Sequence, residues 1–261
     1  MTPAKDAATI RSSHLTEFRL APNPGPMSLD GTNTYLVSAP GPGRVVVVDP
    51  GPLDETHLAA LAASGDVELI LITHRHHDHT EGAERLHQLT GAPVRAADPA
   101  HCHGAGTPLR DGEIIDGGGV RIEVLGTPGH TSDSVSFYLP DDGPAGSVLT
   151  GDTILGRGTT VLDYPDGTLS DYLSSLDALE ALGDATVLPA HGPALPAIGA
   201  IVRAYRDHRL QRLEQVRQAL AVHGRDATAA VVAAVVYSDV DPTVRRAAEL
   251  SVAAQLDYLR S

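Results

Sequence analysis

The residues best suited to chemistry form a cluster of histidines and one aspartate within seven positions. The segment Thr73-His74-Arg75-His76-His77-Asp78-His79 contains the pattern H-x-H-x-D-H and directly follows the apolar run Leu69 to Ile72. In a loop that leaves a strand, the first two histidines can point to one side, while the aspartate and the last histidine face the other. Imidazole and carboxylate groups suit zinc, and also manganese or iron. The pattern therefore predicts two adjacent divalent metal sites that share one loop.

Two adjacent ions need more ligands than one loop supplies, and three further side chains of the right type follow predicted strands. His130 lies in the sequence GTPGHT, Asp152 in TGDT and His191 in PAHG. Each is the first strong ligand type after its strand, and the neighbouring glycines or prolines let the backbone turn sharply. Three recurrences of this kind predict that these residues complete the site.

The elements that must position these residues alternate up to about residue 191. Strands are predicted from short β-branched runs at Thr32 to Val37, Arg44 to Asp49, Val67 to Thr73, Val120 to Leu125, Ser134 to Leu139, Ser147 to Thr150 and Thr186 to Leu188. Helical spacing is present at Leu53 to Ala63, Thr80 to Thr90 and Leu169 to Leu182. The sequence thus predicts a layered α/β domain over residues 1–196.

The character of the chain changes after Pro196. Apolar residues recur at helical spacing as far as Gly224, which predicts a long amphipathic helix. Two shorter helices are predicted, one from Ala227 to Val236 and one that Asp241 caps. We therefore expect residues 197–261 to form a small helical domain.

Composition excludes several classes of protein. Hydrophobic residues make up 42% of the 261 residues, which is enough for a sizeable core, although aromatic residues are only 3%. Cys102 is the one cysteine, so neither an intramolecular disulfide nor a CxxC metal site can form. The formal net charge of −14 disfavours general electrostatic capture of nucleic acid. Neither a membrane span nor an apolar export signal is recognised, so we expect a cytoplasmic protein with no membrane partner.

Taken in chain order, the motifs HxHxDH, TPGHT, TGDT and PAHG resemble those of the metallo-β-lactamase superfamily over roughly residues 15 to 195. The resemblance implies a four-layer αβ/βα sandwich with two metals at one edge. It implies that His74, His76 and His130 bind one ion. Asp78, His79 and His191 would bind the other, and Asp152 would bridge the two. Asp49, in the DPG turn, matches the family's early aspartate, which supports the metal loop instead of binding metal.

The resemblance also implies a reaction. Two divalent ions about 3.5–4 Å apart can hold a hydroxide between them, which is a nucleophile at neutral pH. The expected activity is hydrolysis, with Asp78 and Asp152 as catalytic residues beside the metal-bound hydroxide. Two zinc ions are the expected cofactors, with manganese or iron as alternatives.

Two segments, residues 23–37 and 151–176, resemble a lactamase-like branch that includes a mitochondrial single-strand endoribonuclease. The helical tail resembles the winged-helix domain of that branch. This implies a single-stranded RNA substrate, with candidate contacts at Arg157, His208, Arg209 and Arg212. Residues 201–225 hold six arginines against two acidic residues, which suits phosphate binding, although such arginines could instead be solvated or paired with acidic neighbours.

Other interpretations remain open. A thioester hydrolase of the hydroxyacylglutathione type has similar ligand spacing and a helical C-terminal domain, so a small ester or thioester is the alternative substrate. A true β-lactamase is disfavoured because no export signal is recognised, and a metal-free binding module is disfavoured by the complete ligand set. The helical tail could cover its own cleft or support a homodimer. Asp163 and Asp166 are interpreted as turn residues.

Overall fold

The computed structural model describes residues 8–41, 43–238 and 241–261. The strands are β1 (Ile10–Arg11), β2 (Thr16–Leu20), β3 (Asn33–Val37), β4 (Arg44–Val48), β5 (Asp66–Leu71), β6 (Val94–Arg95), β7 (Ile114–Gly117), β8 (Val120–Gly126), β9 (Val135–Leu139), β10 (Ser147–Gly151) and β11 (Thr186–Pro189). The α-helices are α1 (Glu55–Ala62), α2 (His77–Thr80), α3 (Ala83–Thr90), α4 (Leu169–Glu180), α5 (Ile198–His223), α6 (Ala229–Val236) and α7 (Arg245–Arg260).

The strands form two mixed sheets. The first sheet has the order β1-β2-β3-β4-β5-β6, and the second has the order β11-β10-β9-β8-β7. In the first sheet β4, β5 and β6 run parallel, and in the second β10 and β11 run parallel. The other strand pairs are antiparallel.

The two sheets pack face to face. Successive side chains of a strand point to opposite faces, so one strand can contact the other sheet on one face and helices on the other. In β4, Val46 and Val48 join a buried cluster that also contains Phe137 of the second sheet. Val45 and Val47 face the other way and pack with residues of α1 and α3. A further cluster places α4 and α5 against the outer face of the second sheet. The predicted α/β sandwich is thereby confirmed.

The C-terminal residues are helical, as the sequence predicts. The first half of α5 packs against α4, and its second half forms a separate apolar cluster with α6 and α7. Asp241 Oδ1 accepts a hydrogen bond from the Thr243 amide, and one 3-10 turn, Pro242–Val244, precedes α7. Within the described ranges, no helix combines the length and apolar character needed to cross a bilayer.

One predicted helix is wrong in its extent. The segment Thr80 to Thr90 does not form a single helix, because α2 ends at Thr80 and α3 begins at Ala83. Gly82 lies between them and donates its amide to Gly51 O. A Cβ at Gly82 would lie 2.7 Å from a methyl carbon of Leu58 in α1. The break therefore allows α3 to approach α1 closely. The sequence analysis also missed the short strands β1, β2, β6 and β7.

Buried His57 predicts how folding stability depends on pH. Its Nε2 lies 3.0 Å from Thr34 Oγ1, and burial lowers the pKa of His57 to about 4, although Asp54 opposes the shift. An unfolded histidine has a pKa near 6.5, so between pH 6.5 and 4 the unfolded chain binds more protons than the folded chain. Acidification across this window should therefore cost up to about 3 kcal/mol of stability through His57 alone.

Urea unfolding of metal-free protein at a series of pH values tests this expectation. Between pH 7 and pH 4, the His57→Gln variant should lose about 3 kcal/mol less unfolding free energy than the wild type. His223→Gln, which changes an exposed histidine at the end of α5, is the matched control and should follow the wild type. Parallel profiles for His57→Gln and the wild type would contradict the assignment.

Candidate metal centre

The predicted site residues converge because five strands end at one edge of the sandwich. β4 and β5 run parallel, and β8 runs parallel to β10 and β11, since β8 and β10 both pair antiparallel with β9. Several hydrogen bonds join the sheets at this edge. Asn33 Nδ2 donates to Pro189 O at 2.9 Å, and the Val135 amide donates to Thr73 O at 2.8 Å. The loops after these strands therefore share one space.

All seven residues expected to bind metal lie in that space. They form three overlapping groups, in each of which the candidate ligand atoms lie within 4.8 Å of one another: His74, His76 and His130; His74, His79 and Asp152; and Asp78, His79 and His191. In the first group, His76 Nδ1 lies 3.1 Å from His74 Nε2 and 3.0 Å from His130 Nε2. The first and third groups match the two ligand triads that the sequence predicts.

Asp152 lies between the two triads. Its Oδ2 lies 3.8 Å from His130 Nε2, whereas its Oδ1 lies 3.3 Å from His191 Nε2 and 3.7 Å from His79 Nε2. Each carboxylate oxygen thus faces a different triad. One side chain with this geometry can contact two cations at once.

Each of the five histidines uses its other ring nitrogen for a hydrogen bond that fixes the ring. These outward nitrogens lie 2.7 to 3.2 Å from oxygen atoms of the protein. The pairs are His74 Nδ1 with Thr73 Oγ1, His76 Nε2 with Asp163 Oδ2, His79 Nδ1 with Asp49 Oδ2, His130 Nδ1 with Val161 O, and His191 Nδ1 with Gly31 O. When the outward nitrogen carries the proton, the inward nitrogen presents a lone pair to a cation.

Asp49 lies behind the cluster and accepts hydrogen bonds from Thr73 and His79. It is 2% exposed, and its Oδ1 accepts the Thr73 amide at 2.8 Å. Its Oδ2 accepts His79 Nδ1–H at 2.8 Å and the Thr73 hydroxyl at 2.7 Å. That hydroxyl in turn faces His74 Nδ1, so one carboxylate orients two of the histidines. The φ of Asp49 is +52°, a left-handed conformation that aspartate tolerates better than most residues.

The atoms that face the centre of the cluster fit divalent cations. His79 Nε2, His191 Nε2 and Asp152 Oδ1 are buried without a hydrogen-bond partner. Buried polar atoms are normally satisfied, so three such atoms that face one another point to a cation as their shared partner. Five imidazoles and two carboxylates are also a donor set that suits zinc, manganese or iron.

The electrostatics of the cluster agree with this interpretation. Burial and the surrounding histidines hold the pKa of His74 well below its usual range, and burial lowers the pKa of His130 to about 4. Both rings are therefore neutral at pH 7, as a metal ligand must be. Burial opposes protonation of His79 as well, but Asp49, Asp78 and Asp152 raise its pKa to about 10. Cation binding would therefore displace a proton from His79.

Two glycines make the close approach of the ligand loops feasible. Gly129 precedes His130 with φ +133°, and a Cβ there would lie 2.4 Å from Tyr172 Cα. Gly151 precedes Asp152 with φ +50°, and a Cβ there would lie 2.7 Å from Thr73 Cβ. A larger residue at either position would push a ligand away from the cluster.

Four residues of the surrounding network are not predicted from the sequence. Thr73, which the sequence predicts only as the end of a strand, links Asp49 to His74. Asp163 is more than a turn residue, because its Oδ2 accepts from His76 and from Arg75 Nη2 at 2.6 Å. Arg75 also pairs with Asp166, whose carboxylate accepts the Ser132 amide. These partners lie far apart in sequence, so no local pattern could identify them.

Comparison with known proteins agrees with the fold and the cluster. The sequence profile of the metallo-β-lactamase superfamily matches residues 27–191. The chain belongs to this superfamily. An atrochrysone carboxyl ACP thioesterase from Aspergillus chevalieri is 37% identical over 77% of this chain and 64% of its own length. A β-lactamase-like protein 2 homolog from Caenorhabditis elegans is 31% identical over 88% of this chain and 78% of its own length.

A solved structure extends the likeness to the C-terminal helices. A metallo-β-lactamase family protein from Thermus thermophilus superposes with a TM-score of 0.76 at 26% identity. The match covers 94% of this chain and 93% of that protein. The chain is thus a hydrolase of the metallo-β-lactamase superfamily, and its helical tail has a counterpart in that protein.

A cavity of about 340 Å³ adjoins the cluster of this superfamily member. His130 and Asp152 line this cavity together with residues of α5 and α7. All four candidate substrate contacts line this cavity: Arg157, His208, Arg209 and Arg212. Arg157 forms an exposed ion pair with Asp30 at 2.7 Å, whereas Arg209 is 2% exposed.

The arginines of α5 do not form an open basic surface. Arg203 and Arg206 pair with Glu180, Arg206 also pairs with Asp177, and Arg217 pairs with Glu214. Arg209 donates to Thr160 O, and Arg212 donates to Val236 O. Of the two interpretations from the sequence, internal pairing therefore describes this helix better than phosphate binding along its surface.

Tyr205 connects α5 to the loop behind His130. Its hydroxyl accepts a hydrogen bond from the Leu155 amide at 3.0 Å and lies 3.0 Å from Gly158 O. A few residues further along the same loop, Val161 O contacts His130 Nδ1. Tyr205→Phe should lower the free energy of unfolding by about 1–2 kcal/mol, because the Leu155 amide loses its partner. It should also speed hydrogen exchange in residues 155–160.

Urea unfolding and hydrogen exchange measure these two effects. Tyr258→Phe removes the hydroxyl of a partly exposed tyrosine on α7 and is the matched control. If residues 155–160 exchange hydrogen at the same rate in Tyr205→Phe as in the wild type, α5 does not restrain this loop.

Proposed function

We propose that this protein binds two divalent metal ions at its His/Asp cluster and hydrolyses thioesters of small acyl groups. The observation that carries the proposal is the cavity that begins at His130 and Asp152. Its walls are largely apolar and include Met27, Leu29 and Leu155. A cavity of this size, with a few polar groups at one end, suits a small acyl chain.

The two triads and Asp152 would have distinct roles. His74, His76 and His130 would hold one ion, Asp78, His79 and His191 the second, and Asp152 both. Such a pair, when bound, supplies Lewis acidity that activates water and polarises a carbonyl oxygen. Asp49 would keep His79 and His74 in orientation through its three hydrogen bonds.

The cavity walls would bind the substrate beside this centre. Leu155 and Leu29 would contact the acyl chain and exclude water from it. His130 and Asp152, at the end of the cavity, lie where the scissile carbonyl would have to be placed. Apolar walls of this kind contribute to binding in proportion to the surface that they remove from water.

Two observations favour a thioester over single-stranded RNA. Arg203, Arg206 and Arg217, the arginines of α5 that do not line the cavity, are paired with acidic neighbours, which weakens the attraction of this helix surface for a phosphate backbone. Aromatic residues, which stack on unpaired bases, make up only 3% of the chain. The similarity to an ACP thioesterase supports the same choice.

We propose that residues 1–196 form the catalytic domain and that residues 197–261 form a helical cover for its cavity. Val244, Ala247 and Ala248 line the same cavity as His130 and Asp152, which supports this role. A cover built from α5 and α7 would act on a small substrate and would not require the nucleic-acid contacts of a winged helix.

An assay panel with the purified, metal-loaded protein tests the proposal. The substrates are hexanoyl-N-acetylcysteamine thioester, a single-stranded RNA and nitrocefin, each with added zinc or manganese. We expect turnover of the thioester to exceed that of the other two substrates. Cleavage of RNA with an intact thioester would overturn the proposal and favour the endoribonuclease branch.

A further inference from the structure

Two arginines that line the cavity have no acidic partner among the described residues, although the chain carries a net charge of −14. The Arg209 guanidinium is buried, and it lies over the Tyr172 ring at 4.8 Å. Its Nη2 donates to Thr160 O at 2.6 Å, while its Nε has no hydrogen-bond partner. Among the described residues, no carboxylate lies within ion-pair distance of this guanidinium.

Arg212, one helical turn further along α5, is in a similar position. Its guanidinium lies over the Tyr237 ring at 4.7 Å, and its Nη1 donates to Val236 O and Gln215 Oε1. These acceptors are neutral, and the described part of the chain again places no carboxylate at ion-pair distance. The arginines that face away from the cavity, such as Arg206, do have carboxylate partners.

Unneutralised charge at a buried position is unfavourable, so proteins normally pair such charges or use them. Both arginines line the same cavity as His130 and Asp152. His208, which precedes Arg209 on α5, adds no negative charge, and burial and the two arginines lower its pKa. The lining of the cavity therefore combines the His/Asp cluster with two arginines of α5 that have no carboxylate partner among the described residues.

We propose that Arg209 and Arg212 form a subsite for a carboxylate at the far end of the substrate's acyl chain. This inference rests on the proposed thioesterase function. A guanidinium matches a carboxylate in geometry and charge, and the apolar residues that line the same cavity suit the methylene groups of the chain. The preferred substrates are thus monothioesters of dicarboxylic acids.

The first experiment compares two thioesters of equal chain length. Adipyl-N-acetylcysteamine carries a terminal carboxylate, and hexanoyl-N-acetylcysteamine carries a methyl group at the same position. We expect the wild type to prefer the adipyl compound in kcat/KM by about tenfold or more, as a charged hydrogen-bonded pair provides. In Arg212→Met the ratio should fall to about threefold or less.

Arg206→Gln is the matched control, because it removes an arginine of the same helix that faces away from the cavity. Its preference for the adipyl compound should equal that of the wild type. Equal kcat/KM values for the two thioesters in the wild type, or an undiminished preference in Arg212→Met, would overturn the inference.

A binding measurement separates this inference from the proposed function. Isothermal titration of the metal-loaded protein should show that adipate binds more tightly than hexanoate by about tenfold. Both acids carry one carboxylate that can reach the metal ions, so the difference in their affinities measures the contribution of the second carboxylate of adipate. Arg212→Met should abolish the difference, and Arg206→Gln should keep it.

The two measurements give distinct outcomes. If neither thioester is turned over but adipate retains its Arg212-dependent advantage, the thioesterase proposal is wrong and the carboxylate subsite stands. If adipate and hexanoate bind equally, the subsite is wrong, whatever the thioester assay shows. Arg209→Met should reduce the adipate advantage in the same way, provided that circular dichroism shows a folded protein.

Discussion

Replacing Asp152 with alanine should reduce kcat/KM by at least about 10³-fold and leave at most one tightly bound ion per chain. The reason is that its two oxygens face different triads, with Oδ2 toward His130 and Oδ1 toward His79 and His191. Alanine removes a ligand from both proposed ions at once. The fold should persist, because Oδ1 makes no hydrogen bond that stabilises the metal-free protein.

Inductively coupled plasma mass spectrometry and thioester kinetics measure these two effects on the same sample. Asp116→Ala is the control, because it removes an exposed carboxylate from β7. This variant should keep the metal content and activity of the wild type. Full turnover by Asp152→Ala with verified metal loading would show that this carboxylate does not join the two triads.

Replacing Asp49 with asparagine should weaken metal binding by about 10–100-fold while the ligands themselves remain intact. Asp49 Oδ2 accepts hydrogen bonds from His79 Nδ1–H and from the Thr73 hydroxyl. An amide keeps the size of the side chain and tolerates the left-handed backbone. It cannot accept all three hydrogen bonds, and it removes the negative charge that makes the His79 ring a stronger ligand.

Competition with a chelator of known zinc affinity measures this effect. Asp142→Asn is the matched control, since Asp142 is a buried aspartate that accepts hydrogen bonds from the Leu15 amide and Ser147. Asp142 follows β9, which runs antiparallel to β8 and β10 and therefore ends at the edge of the sheet away from the His/Asp cluster. Asp142→Asn should lower stability without changing zinc affinity. Equal zinc affinity for Asp49→Asn and the wild type would show that Asp49 does not support the ligands.

The candidate ligands could be predicted because their signals are local. His74 to His79 follow a strongly apolar strand, and His130, Asp152 and His191 each follow another strand within a few residues. Parallel strands bring such positions to one edge of a sheet whatever the rest of the chain does. The sandwich could be predicted for the same reason, since the strand and helix signals alternate along residues 32–191.

The surrounding network could not be predicted, because it depends on contacts between distant segments. Asp163 accepts from His76 across 87 positions, and Gly82, between α2 and α3, lies close to Leu58 of α1. The pairing of the α5 arginines is similar, since Arg206 meets Glu180 only after α4 and α5 have packed. The spacing of residues along the sequence does not show which distant residues will become partners.

The same limit explains why the α5 arginines suggested RNA. Their density in sequence is that of a phosphate-binding helix, but the structure gives them different surroundings. Arg203 and Arg206 pair with carboxylates of the acidic α4, and Arg217 pairs with Glu214, whereas Arg209 and Arg212 line the cavity. Charge counted along a segment cannot show which way each side chain points.

If the His/Asp cluster is a two-metal centre, both ions should be visible in crystals of the metal-loaded protein. Anomalous diffraction recorded at the absorption edge of the bound metal is the most direct test. We expect two peaks per chain, one surrounded by His74, His76 and His130 and the other by Asp78, His79 and His191, with Asp152 contacting both. A single peak, or peaks away from these side chains, would contradict the account.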